Sequence, residues 1–76
     1  MFNAQNLRDK INAQPFQPFR IHMSDGKTYE VPNHDAAFVK RNAVEIGLDL
    51  DKEGFAGRFV DCSILHIASI ETMQHA

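Results

Sequence analysis

The sequence predicts a mainly β domain: a short N-terminal helix, then five antiparallel strands closed into a small barrel or a strongly bent sheet. Three observations predict it. A capped apolar stripe is confined to residues 1–14, a proline-rich strap covers 15–19, and short alternating runs separated by turn residues fill 20–73. All of it belongs to a single domain, 1–76, because a chain this short has room for one core and shows no repeat or linker.

The helix starts at Asn3, whose side chain suits the free amides of a first turn, and Phe2 and Leu7 stand at the two positions of a hydrophobic staple. Ala4, Leu7 and Ile11 give it a narrow apolar stripe, and Pro15 ends it. Gln14-Pro15-Phe16-Gln17-Pro18-Phe19 is then an extended strap, because each proline biases its predecessor away from helix.

Phe19, Ile21 and Met23 alternate with Arg20, His22 and Ser24 in a half-buried strand, and Asp25-Gly26 turns it back. Parity fixes the hairpin. A two-residue loop would place Tyr29 opposite His22, on the wrong face. A three-residue Ser24-Asp25-Gly26 loop, with Gly26 left-handed, pairs Ile21 with Tyr29 and Phe19 with Val31.

Pro32-Asn33-His34-Asp35 reads as a loop, and Ala36 to Arg41 as either a helical turn packing Phe38 or more loop. Val44, Ile46, Leu48 and Leu50 form the cleanest alternating strand, closed by Asp51-Lys52-Glu53-Gly54. A fourth strand runs from Phe55 to Cys62, with Gly57 marking a bend or close approach and Phe59 and Val60 on opposite faces. Ser63-Ile64-Leu65 reads as a tight turn, and Ile67 to Met73 as the fifth strand. The order of elements suggests a small Greek-key or SH3-like barrel, with an open five-stranded sheet as the alternative.

Pro15-Phe16-Gln17-Pro18-Phe19-Arg20-Ile21-His22, with Asp25-Gly26, Val31 and the closing Ile67-Ala68-Ser69-Ile70-Glu71, resembles a group of short bacterial proteins with a Pro-Phe-x-Pro-Phe-x-Ile segment. That resemblance implies an intact fold and carries no activity. More loosely, the helix, the Asp25-Gly26 hairpin and Asn42-Ala43-Val44 look like the Sm-like barrels, which implies ring assembly and RNA binding. The Arg-Gly or Lys-Gly of the second Sm motif has no counterpart around Leu65-His66-Ile67.

Composition narrows the function. Of the 76 residues 43% are apolar and 24% charged, which suits a folded chain, and the net charge of −2 supplies no global field toward phosphate backbones or anionic membranes. A domain this size buries only roughly 60% of its unfolded surface, so extra burial through self-association is useful. Cys62, the single cysteine, forms no internal disulfide and begins no two-cysteine zinc motif, which fits a cytoplasmic location. The polar first fifteen residues do not read as a secretory signal, and no segment has the ~20 apolar residues of a membrane span.

His22, His34, His66 and His75 lack the three-to-five-residue spacing of a local chelate, so no metal or cofactor is expected. His34-Asp35 and Cys62 are the nearest approach to catalytic chemistry, yet no nucleophile elbow, carboxylate pair or phosphate-binding glycine loop accompanies them, and no enzyme is expected. Phe16, free of strand alternation between two prolines, either caps the barrel's open end under the helix or belongs to an exposed apolar surface, with Lys40, Arg41 and Arg58 as the cations able to meet a partner or phosphates. The expected role is a non-enzymatic interaction module that forms a homo-oligomer or binds another protein. The alternative is an Sm-like nucleic-acid-binding protein, with RNA disfavoured by Asp49, Asp51, Glu53 and the acidic total.

Overall fold

The computed structural model describes residues 1–73 and contains one helix and six strands, α1 Ala4–Ile11, β1 Phe19–Met23, β2 Thr28–Val31, β3 Ala37–Val39, β4 Ala43–Leu48, β5 Arg58–Ser63 and β6 Ile67–Thr72. His75 lies outside the described residues. The chain is mainly β, as expected, but the strands form two three-stranded antiparallel sheets, ordered β2-β1-β6 and β3-β4-β5, in place of one five-stranded barrel. The break lies between β2 and β3. Pro32 has no amide to continue a ladder, and the Asn33 side chain accepts from the Asp35 amide (3.0 Å) to start a single 3-10 turn, His34–Ala36.

Asn3 caps α1 reciprocally, with its Oδ1 accepting from the Asn6 amide (2.9 Å) while Asn6 Oδ1 accepts from the Asn3 amide (2.9 Å). The helix closes on Asn12, before Pro15 is reached, so it is shorter than residues 1–14. Leu7 enters the core and Phe2, Ala4 and Ile11 pack against it, which lays α1 beside β3 and β4.

The β1–β2 hairpin has the register that parity demands, Phe19 opposite Val31 and Ile21 opposite Tyr29. Its Ser24-Asp25-Gly26 loop is closed by the Gly26 amide on the Met23 carbonyl (3.0 Å) and the Met23 amide on the Lys27 carbonyl (2.8 Å). Gly26 sits at φ +91°, where a side chain is unfavourable.

Ala36 to Arg41 resolves into neither of the two expected forms. After the buried Ala36 the chain pairs with β4, Phe38 opposite Glu45, and the Phe38 ring points to solvent instead of packing. β5 begins at Arg58, because Asp51 Oδ1 accepts from the amides of Glu53 and Phe55 (both 2.9 Å) and holds the preceding segment as a loop. Gly57 is a close approach: a Cβ there would lie 3.3 Å from the Asp49 carbonyl.

Ile64–His66 is one 3-10 turn that ties the two sheets together. The Ile64 amide donates to the Asn42 carbonyl (3.0 Å) at the β3–β4 turn, while the Ser24 amide donates to the His66 carbonyl (2.8 Å) from the β1–β2 hairpin. Phe19, Ile21 and Val31 from one sheet and Val44, Ile46 and Cys62 from the other form the core with Leu7, Ile64 and Ile67. No helix among the described residues is long and apolar enough to cross a membrane.

Candidate interaction surface

Strand alternation and the β3-β4-β5 register decide what this sheet shows to each side. Ala37, Val39, Val44, Ile46, Val60 and Cys62 are mutual neighbours on the core side. The other side therefore carries the row Phe38, Glu45, Asp61 and the row Gly47, Phe59. Phe38 is 67% exposed and Phe59 65%, a large apolar investment in solvent contact for so small a chain.

Gly47 lies between them and is covered. A Cβ on it would sit 3.1 Å from the Ala56 Cβ and 3.6 Å from Leu50 Cδ2, so the loop after β4 folds its own apolar groups over this part of the sheet. That loop also carries Phe55, 70% exposed.

The predicted surface residues are not brought together. Lys40 lies past the end of β3 and donates to both carboxylate oxygens of Asp61 (3.1 and 2.9 Å), which raises its pKa above the ordinary lysine value. Arg58, at the other end of the sheet opposite Leu48, donates through Nε to Asp49 Oδ2 (2.7 Å). Arg41, in the β3–β4 turn, lines a shallow cleft with Met1, Phe2, Ile64 and Leu65. Phe16 is half-buried, its ring 6.1 Å from Phe19 and edge-on to His34 at 6.5 Å, so it closes the core beneath the strap.

Cys62 and His66 share a cleft of about 450 Å³ between β5 and the β1–β2 hairpin, with Met23, Asp25, Lys27, Tyr29, Val60 and Asp61 also lining it. Burial pushes the Cys62 thiol above its ordinary pKa, and the Asp61 and Asp25 carboxylates push it the same way. The thiolate is the nucleophile, so this environment works against covalent catalysis. His34 lies elsewhere, with Nδ1 3.1 Å from Asp35. Among the described residues no group of three or more His, Cys, Asp or Glu is placed to hold a metal ion.

The outer face of β2-β1-β6 is ionic. Arg20 donates to Glu30 (3.3 Å) on one side and to Glu71 (3.5 Å) on the other, and Glu71 also bonds His22 Nε2 (3.0 Å). The His22 hydrogen bond, with Arg20 in support, holds the Glu71 carboxyl below the usual carboxylate range. A folded pKa below the unfolded one stabilises above the ordinary glutamate value, about 4.3, and the contribution disappears as pH falls through the folded value. Glu71→Gln is therefore expected to flatten the acid limb of the stability curve below about pH 5, followed by urea midpoints across pH. An acid limb identical to that of the unaltered protein would show that the cluster adds nothing.

Comparison with known proteins gives no relative: no family model matches the chain, and no curated protein or solved structure matches it.

Proposed function

We propose that this chain is a non-enzymatic interaction module that self-associates through the β3-β4-β5 sheet. The observation that carries the reading is Phe38 and Phe59 standing in solvent on the outer face of that sheet. The same face holds Lys40 and Asp61 as a bonded pair, so it presents both signs of charge and suits a second copy of itself. Two of the cations that a nucleic-acid surface would use, Lys40 and Arg58, are occupied by carboxylates, which makes the Sm-like RNA-binding reading the weaker one.

Sedimentation velocity over a dilution series tests it. The expected result is a mass that rises with concentration, and a Phe59→Glu variant that stays monomeric with the thermal midpoint of the unaltered protein at high dilution. A monomer at every concentration overturns the reading.

A further inference from the structure

The sheet β3-β4-β5 has two edges, and they differ. β3 is flanked by α1, whereas β5 ends the sheet with a regular ladder to β4 over Arg58–Ser63 and no proline or lysine in the strand. Natural edges are usually blunted by proline, free charges or bulges, and the two charges of β5, Arg58 and Asp61, are already paired with Asp49 and Lys40. The other sheet's edges are less suited to receiving a strand. β2 spans four residues and stops at Pro32, and the pairing of β6 with β1 is interrupted by a register shift.

Which amides of β5 are free follows from the ladder. The Ile64 amide donates to the Asn42 carbonyl, so the position opposite Asn42 is a hydrogen-bonded one. In an antiparallel pair such positions alternate, which turns Val60 and Cys62 toward β4 and leaves the amides and carbonyls of Phe59, Asp61 and Ser63 on the edge away from β4, where the cleft of about 450 Å³ separates β5 from the β1–β2 hairpin. Phe59, Asp61 and Ser63 also carry the outward-facing side chains, so any added strand must match both sets.

Two copies of β5 related by a two-fold axis can meet in four registers, and centring on Cys62 carries Val60 and Phe59 past the strand's end onto the partner's Ile64–His66 turn. Centring on Asp61 sets carboxylate against carboxylate, which is unfavourable. Centring on Phe59 pushes Asp61 and Ser63 beyond the partner's strand onto its loop. Centring on Val60 aligns all of the strand except Ser63, pairs Phe59 with Asp61 of the second copy in both directions, and opposes Arg58 to Cys62. The two Phe59 rings become diagonal neighbours, within reach of one another at about 7–8 Å between backbones.

We propose that two copies of this chain join β5 to β5, antiparallel about an axis at Val60, into one continuous six-stranded sheet. The proposal rests on the self-association reading and places the seam at the β5 edge of that sheet: it brings Phe59 of each copy to the seam and leaves Phe38, on the far strand β3, in solvent. An interface of one short strand belongs to the weak class below about 1,200 Å², so the dimer dissociates on dilution.

The test is a disulfide. Directly opposed residues at a non-hydrogen-bonded position have Cα atoms about 4.5 Å apart, within disulfide range. Val60→Cys, in a Cys62→Ala background, is expected to cross-link to its own copy under mild oxidation. Ser63→Cys in the same background is expected not to, because its copy lies on the order of 20 Å away along the strand. Hydrogen exchange on the unaltered protein gives a second readout: the Phe59 and Asp61 amides should slow as concentration rises. A dimer in sedimentation without the Val60 cross-link and without that protection overturns the strand pairing and leaves self-association standing. A strict monomer removes both.

Discussion

Phe19→Ala is expected to cost about 3–5 kcal/mol, the range for truncating a buried phenylalanine. Phe19 is the largest fully buried side chain among the described residues, at 1% exposure, and it belongs to β1, the central strand of its sheet. Its backbone is committed on both sides, to Val31 and to Thr72, so the strand cannot shift to fill the space. Phe16 packs against the ring at 6.1 Å with the planes tilted by 49°, and Lys10 Nζ lies 5.8 Å from its centroid. A domain of this length has a total stability of only about 4–11 kcal/mol. The loss should lower the thermal midpoint by at least roughly 12 °C, on a scale of about 4–8 °C per kcal/mol for domains this small. Urea unfolding at matched protein concentration measures it, since dimerisation makes stability depend on concentration. A cost under about 1 kcal/mol would mean that Phe16 swings in to replace the ring, and that the strap rather than the strand governs this corner.

The contrast between Phe19 and Phe38 explains much of what could be read from the sequence. Around Phe19 the signal is a period of two bounded by a turn, and a shift of one residue would turn Tyr29 and Val31 to solvent. That constraint was enough to select the Ser24-Asp25-Gly26 loop. Around Phe38 the strand has three residues, too few to show a period, and it follows a 3-10 turn set by Asn33. An aromatic ring there suggests packing, and the side of the sheet it occupies is decided by its pairing with Glu45 on β4. The pattern therefore carries no sign of this strand, nor of the division into two sheets that it creates.

The surface was less legible than the fold because charge is neutralised through tertiary pairing. Lys40 and Asp61 are twenty-one positions apart and meet because β3 and β5 flank β4. Arg58 and Asp49 meet because the loop between β4 and β5 returns on itself at Gly57. A count of cations along the chain sees neither partner. Alternation sets Phe59 on the face opposite Val60, but the direction of that face depends on Val60 and Cys62 turning toward the core, which only the ladder supplies.

Leu7→Ala carries the second large effect, about 2–5 kcal/mol, and tests how the helix is attached. An eight-residue helix is too short to persist alone in water, so α1 exists because its one buried side chain is docked. Leu7 is fully inaccessible, while Phe2, Ala4 and Ile11 are only partly covered. Removing it should release α1 as a unit. Amide protection should vanish along α1 while part of the β4 protection remains, because β4 keeps its ladders to β3 and β5. Asn3→Ala is the control: it deletes one arm of the cap at a cost of about 1 kcal/mol and leaves Leu7 in place, so α1 should stay docked and fray at its first turn. If Leu7→Ala instead removes protection from α1 and β4 together, the helix is part of the cooperative core and the two sheets do not stand without it.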